Sequence, residues 1–278
     1  MAQGIWPVLK YPVILAGSLP VLFDRARAEA RSITITETDL PIANLPPAFD
    51  GVRFAFLSDW HCSRQSPPSF LREVVEETNR QRPEIILLGG DYITGGTRYI
   101  EPVGEVLSGL RAPLGVYGVM GNHDFWDNHE GVKTRSMLQR VGIILVDNSG
   151  RWVHVDGGRL RIGGVGDFWE DEQDLGAALA GVRPDEKAIL LSHNPDYAMK
   201  IRDPRVGLVL SGHTHGGQIR LPRIGPVITN SQHGRKLVAG LVQFETFKLY
   251  TSRGLGTVVV PLRLESPPEI AFFTLRKQ

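Results

Sequence analysis

Acidic, amide and imidazole side chains gather at five places where a short apolar run ends. Ser58-Asp59-Trp60-His61 follows the run at 52–57, Gly89-Gly90-Asp91 follows 85–88, and Gly121-Asn122-His123-Asp124 follows 116–120. Ser192-His193 follows 188–191, and Gly212-His213-Thr214-His215-Gly216 follows 208–210. Any one block alone reads as a turn or a hydrogen-bonded core histidine. Together they hold five of the chain's eight histidines, which coincidental turns do not explain. Residues i and i+2 of extended chain point the same way, so Asp59 and His61 can grip one cation. His213 and His215 also share a side and can serve two neighbouring cations. Asp91 suits a bridge, because each carboxylate oxygen can hold one metal. Two cations about 3.5–4 Å apart can clamp the attacking and leaving oxygens of a displacement at phosphorus. Imidazole, carboxylate and amide donors suit Mn, Zn or Fe rather than a thiolate-bound metal.

Such residues need rigid elements to converge. Apolar runs at 52–57, 85–88, 115–119 and 143–146 read as strands, with helices at 69–80, 103–110 and 133–141 between them. That alternation predicts α/β architecture, in which ligands bind beyond the carboxyl ends of strands. The second half is richer in strands. A hairpin is expected at 151–155 and 160–165 around Asp156-Gly157-Gly158, with further strands at 188–191, 208–210, 218–221, 240–244, 248–251 and 270–275. The pattern implies two packed sheets with helices outside, in one catalytic domain over residues 50–278.

The 278 residues carry a formal charge of +1 and no basic run, so a nucleic-acid track is not expected. Cys62 is the only cysteine, which excludes an internal disulfide. Residues 1–49 form an arm whose apolar stretch, 11–23, is interrupted by Pro12 and Pro20 and is short for a span of about 20 residues. It reads as a membrane-surface helix, with a cleaved signal segment or a packed arm as alternatives. The expected location is peripheral on the cytoplasmic face of a membrane; an exported or cytoplasmic protein is the alternative.

The ordered blocks Asp59-x-His61, Gly90-Asp91, Gly121-Asn122-His123-Asp124, His193 and Gly212-His213-Thr214-His215 resemble the calcineurin-like metallophosphoesterase superfamily over about residues 50–275. The resemblance implies a four-layer α/β/β/α sandwich of two mixed sheets flanked by helices. It further implies that Asp59, His61, Asp91 and His215 hold a first divalent metal ion, and Asp91, Asn122, His193 and His213 a second. His123 then protonates the leaving oxygen or stabilises the phosphoryl charge. Two dications against two carboxylates and neutral imidazoles leave a centre attractive to a phosphate-ester anion, with metal-activated water as nucleophile. Asp124 either orients an imidazole or caps a loop.

Ser192 to Asp196, Gly212 to Ile219 and Ser252 to Thr257 are similar to a bacterial membrane-linked phosphodiesterase branch, associated with pyrophosphate cleavage of UDP-2,3-diacylglucosamine. The expected function is therefore hydrolysis of a phosphodiester or pyrophosphate, on a substrate that can be lipid-linked. A phosphomonoesterase and a non-catalytic metal-binding regulator are the alternatives. Arg253 is a candidate for a substrate phosphate, or else a salt-bridged loop residue. Residues 168–170, Phe-Trp-Glu, can line a groove or lid. Trp60 and Cys62 flank His61 and can simply pack. His129, His154 and His233 read as ordinary histidines.

Overall fold

The computed structural model describes residues 10–126 and 131–278. Two six-stranded mixed sheets dominate it. The first runs in the order β1 (Thr34–Ile42), β14 (Glu269–Lys277), β2 (Arg53–Leu57), β3 (Ile85–Leu88), β4 (Val116–Gly118) and β5 (Ile144–Leu145). The second runs β12 (Gly240–Gln243), β13 (Lys248–Thr251), β9 (Val206–Ser211), β8 (Ala188–Leu191), β7 (Gly158–Gly164) and β6 (Ser149–Val155). β2 through β5 are mutually parallel, as are β7, β8, β9 and β13, so their carboxyl ends share one edge in each sheet.

Side-chain alternation builds the layers. Phe54 and Phe56 of β2 point between the sheets, where they meet Leu87, Ile189, Leu191, Leu208, Leu210 and Phe273. Ala55 and Leu57 point the other way, onto α2 (Pro68–Arg80), α3 (Ile100–Leu107) and α5 (Val132–Arg140). The outer face of the second sheet places Leu190, Val209 and Leu249 under the short α6 (Leu175–Ala178) and the 3-10 turn Pro195–Lys200. Burial on both faces explains why the central strands are nearly continuous apolar runs.

The hairpin β6–β7 forms as expected around Asp156 and Gly157. The strand expected at 218–221 shrinks to β10 (Arg220–Leu221), paired only with β11 (Gly225–Pro226). Gln218 has φ 49°, a left-handed turn that stops a ladder from starting there. The N-terminal apolar stretch lies in a 20-residue helix, α1 (Lys10–Glu29), which continues through Pro20. Its end docks on the body: the Arg263 N–H donates to the Ala26 carbonyl at 2.9 Å and the Ser266 N–H to Glu29 Oε1 at 2.7 Å. No described helix is long and apolar enough to cross a membrane. β1 then joins the first sheet, parallel to β14 from Thr34↔Glu269 to Ile42↔Lys277.

Candidate metal centre

The five blocks do meet, at the shared carboxyl edge of the two sheets. Asp59 and His61 follow β2, Asp91 follows β3, Asn122 opens the short helix α4 (Asn122–Trp126), His193 follows β8, and His213 and His215 follow β9. All seven are buried. Three overlapping clusters result: Asp59, His61 and His215; His61, Asp91 and His123; Asp91, His193 and His213. Within each, the donor atoms lie within 4.8 Å of one another.

The backbone achieves this differently from the extended i, i+2 geometry that the spacing suggested. Asp59 (φ 56°), His61 (φ 41°), Asp91 (φ 57°), His213 (φ 69°) and His215 (φ 53°) all occupy the left-handed region. Non-glycine residues visit it rarely, and at a cost of about 1–3 kcal/mol each. The chain therefore kinks at each of these residues just past the strand, and the kinks turn the side chains inward. Gly212 permits the crossing of the two sheets' loops, because a Cβ there would collide with Ser58 Oγ and the Asp59 carboxylate.

Asp91 sits at the middle. Its Oδ2 is 3.4 Å from His61 Nε2 and 3.1 Å from His193 Nε2, and its Oδ1 accepts the His123 N–H at 2.9 Å. On one side, His61 Nε2 and His215 Nε2 face each other at 3.0 Å, with Asp59 Oδ1 at 3.9 and 3.6 Å from them. On the other, His213 Nδ1 is 2.9 Å from Asn122 Oδ1 and 3.3 Å from His193 Nε2. His193 Nδ1 lies 2.7 Å from the Gly89 carbonyl, which can only accept. Nδ1 must therefore carry a hydrogen, which leaves Nε2 as the nitrogen that faces Asp91.

The electrostatics fit a divalent cation. Burial pulls His61 and His213 down to about 3 and His215 well below its ordinary value, so these imidazoles are neutral and offer lone pairs. Burial also pushes Asp59 up to about 6. Burial opposes charge on Asp91 and His193 too, yet each overcomes it through the other: Asp91 is held well below the carboxylate range and His193 raised to about 10. Asp59 Oδ2 is a buried acceptor without a hydrogen-bond partner, and its carboxylate lies beside the inward-facing atoms of His61 and His215. Buried polar atoms are ordinarily paired, so a crowd of acceptors facing one another calls for a cation.

Several further groups support the cluster: Asp124 takes the loop-capping one of its two expected roles, while Thr94 and Arg263 went unread in the sequence. The Asp124 carboxylate accepts the N–H groups of Asp91 (3.0 Å), Tyr92 (2.9 Å), Ile93 (3.3 Å) and Gly121 (2.9 Å), which fixes the two ligand loops to each other. The Thr94 hydroxyl lies between His61 Nδ1 (2.6 Å) and His123 Nδ1 (3.2 Å). The fully buried Arg263 donates to the carbonyls of Arg253, Gly256 and Ser266, with its Nη2 3.4 Å from His215 Nδ1. Threonine, and an arginine far along the chain, carry no metal-ligand signal of their own.

Of the remaining candidates, half-buried His123 is the imidazole of the group that reaches solvent. Arg253 stands outside the clusters, with Nη2 3.2 Å from Glu269 Oε1 and its N–H donating to Glu269 Oε2 at 3.0 Å. Trp169 does border the site, edge-on to His213 at 4.3 Å, and Trp126 lies 4.2 Å from the His123 ring. Trp60 and Cys62 are buried, and both pack in the outer core of the first sheet. His154 and His233 are exposed, and His129 lies outside the described residues.

Buried imidazoles and carboxylates at the joined edge of two packed sheets define a metal-dependent hydrolase site. The calcineurin-like phosphoesterase profile matches residues 52–217, and the chain belongs to that family. It is 34% identical over 254 residues to the uncharacterized metallophosphoesterase YkuE of Bacillus subtilis (strain 168), covering 89% of this chain and 87% of that one. It is 32% identical to the phosphodiesterase YaeI of Escherichia coli (strain K12), covering 80% and 82%. It is 30% identical to the UDP-2,3-diacylglucosamine pyrophosphatase LpxG of Chlamydia trachomatis serovar D, covering 82% and 85%. Among solved structures, the Haemophilus influenzae NAD nucleotidase aligns with a TM-score of 0.50 at 15% identity, over 74% of this chain and 45% of that one, a likeness of fold.

Proposed function

We propose that this enzyme hydrolyses a phosphodiester or pyrophosphate bond using two divalent cations, Mn, Zn or Fe. The observation that carries this reading is the position of Asp91. A single carboxylate oxygen lies 3.4 Å from the imidazole of one ligand cluster and 3.1 Å from that of the other. Asp59, His61, Asp91 and His215 hold the first cation, and Asp91, Asn122, His193 and His213 the second. When bound, such a pair polarises a phosphoryl group and makes a nucleophile of water at neutral pH.

The chain's own groups do the rest. His61 and His193 are oriented by Thr94 and the Gly89 carbonyl, so that Nε2 of each faces Asp91. His123, with access to solvent, donates a proton to the leaving oxygen. The exposed Trp126 and Trp169 border the opening, and the Trp126 indole N–H donates to Glu170 Oε1 at 2.7 Å. A lipid-linked nucleotide of the UDP-2,3-diacylglucosamine kind is the substrate favoured by the likeness to LpxG, and α1 at a membrane surface is the location that suits it.

The test is hydrolysis of bis(p-nitrophenyl) phosphate by Mn-loaded enzyme, beside Asp91→Asn and the monoester. Metal-dependent diester cleavage, lost by at least about 10³-fold in Asp91→Asn, is expected for a shared ligand. Faster cleavage of the monoester would replace the diester reading with a phosphatase. No turnover of either, with metal bound, would favour a non-catalytic binder.

A further inference from the structure

Next to His215 the surface changes character. A groove of about 320 Å³ begins at Thr214 and His215 and continues between Ile219, Val227, Ile228 and Val259. Val227 is 58% exposed, Ile228 64% and Val259 90%. At Ile219 this groove adjoins a second apolar one, lined by Leu22, Phe23, Leu221 and Leu262, that runs under α1. Singly exposed apolar residues are commonplace, whereas a contiguous apolar face leading from a polar centre marks a binding surface.

The wall at Val258–Val260 is held in place at a cost. Val259 has φ 62°, a conformation that β-branched residues strongly avoid. The Val260 N–H closes a tight turn onto the Val258 carbonyl at 2.6 Å. The Gln218 amide secures this turn from both sides. Its Nε2 donates to the carbonyls of Val258 (3.0 Å) and Val260 (3.1 Å), and its Oε1 accepts the Val258 N–H at 3.1 Å. Gln65 Nε2 donates to the Val259 carbonyl at 3.3 Å. Gln218 follows directly on Gly212-His213-Thr214-His215-Gly216-Gly217, so the segment that supplies two metal-site histidines also supplies the clamp. Strain and exposure both oppose such a turn, and persistence of a strained apolar tip points to a function for it.

We propose that this groove is an acyl-chain subsite, and that the enzyme's substrates are amphiphiles whose phosphate lies at Asp91 while an alkyl chain lies along Ile219, Ile228 and Val259. The reading rests on the phosphate site proposed above. Its argument is adjacency: His215 is both a member of the metal cluster and one of the residues at the inner end of the groove, which sets the two side by side. Gln218 is a positioning residue, acting through the Val258–Val260 turn.

Alkylphosphonates test this without turnover, because their C–P bond has no ester to cleave. Calorimetry with Mn-loaded protein would compare methyl-, butyl-, hexyl- and octylphosphonate, each below its micellar concentration. Affinity should rise by at most about four-fold per methylene, the transfer free energy of one CH₂ converted at about 1.4 kcal/mol per ten-fold. We expect at least about 100-fold from methyl to octyl, falling below about ten-fold in Ile228→Asp and in Val259→Asn. Asparagine tolerates a positive φ, so Val259→Asn should fold with an unchanged or higher Tm. A flat series in the wild type, or a full gain retained in both variants, overturns the subsite. Variants that keep the gain but stop sedimenting with phosphatidylglycerol vesicles would make this face a bilayer-docking surface instead. A flat series with diester turnover intact removes only the groove; an intact series with no turnover removes only the hydrolytic reading.

Discussion

The Thr94 hydroxyl lies 2.6 Å from His61 Nδ1. Because His61 turns Nε2 toward Asp91 and His215, its Nδ1 carries the hydrogen and donates to Thr94 Oγ1. The Thr94 hydrogen is then free to go to His123 Nδ1, 3.2 Å away. That acceptance leaves the proton of a neutral His123 on Nε2. One hydroxyl thus couples a metal-site imidazole to the proposed proton donor.

Removing the hydroxyl while keeping the shape, as in Thr94→Val, should lower kcat by about 10–100-fold, the usual consequence of losing a group that orients a metal-site histidine. The loss should be greater for a methyl ester leaving group than for p-nitrophenolate, which needs little protonation. Thr94→Ser should restore most of the rate. Equal losses for both leaving groups would leave Thr94 a structural role only.

Asp124 links the Asp91 and Gly121 loops through four backbone N–H groups. Burial, with Asp91 nearby, pushes its pKa well above the carboxylate range, and the N–H groups pull the other way. Asp124→Asn places an amide where an acceptor is needed, so it should cost about 2–4 kcal/mol in stability, as an unsatisfied buried cluster does. Thermal unfolding measures this, and metal titration should show weaker binding, since Asp91 and Asn122 lose their common support. An unchanged Tm would contradict the account.

Much of the centre was legible because buried parallel strands are apolar throughout and end where polar ligands begin, as at Ile85–Leu88 before Asp91 and Ala188–Leu191 before His193. Residue type and order told which side chains gather. They did not tell how: the left-handed kinks at Asp59, His61 and Asp91 depend on cross-loop bonds such as the Asp59 N–H to the Gly90 carbonyl, 3.0 Å, and the His61 N–H to the Asp91 carbonyl, 3.0 Å. Asp124 was ambiguous for the same reason, since its partners lie up to 33 residues away. β1 was missed because its core-facing alternation is carried largely by half-buried threonines, and its partner β14 is at the other end of the chain. A run of three valines at 258–260 favours a strand by propensity, yet Gln218 bends it into a turn.

Metal affinity should depend on pH through the Asp91–His193 pair. Without metal, the Asp91 charge keeps His193 protonated up to about 10, despite burial. A cation binding at Nε2 must displace that proton, so raising the pH strengthens binding. One displaced proton corresponds to about ten-fold in affinity per pH unit, expected between pH 7 and 9 and levelling off near 10. Calorimetry in buffers of different ionisation enthalpy should count about one proton released per metal at that site. Affinity independent of pH over this interval would show that His193 is already neutral before metal arrives.

The aromatic rim offers a readout of what lies on the leaving side. Trp169 is 49% exposed and edge-on to His213, while Trp126, 53% exposed, is tied to the same loop through Glu170. Exposed tryptophans beside a phosphate site suit stacking on a nucleobase, worth about 1–3 kcal/mol per base. Trp169→Ala should therefore lower kcat/KM for a uridine-containing pyrophosphate by about 5–160-fold, that interval converted to a rate ratio. The same variant should change kcat/KM for methyl p-nitrophenyl phosphate, which has no base and only one ring, far less. Because Trp169 also packs on His213, a pure packing role would depress both substrates alike. Trp169→Phe separates the cases further, since it keeps a stacking ring and should recover most of the nucleotide preference.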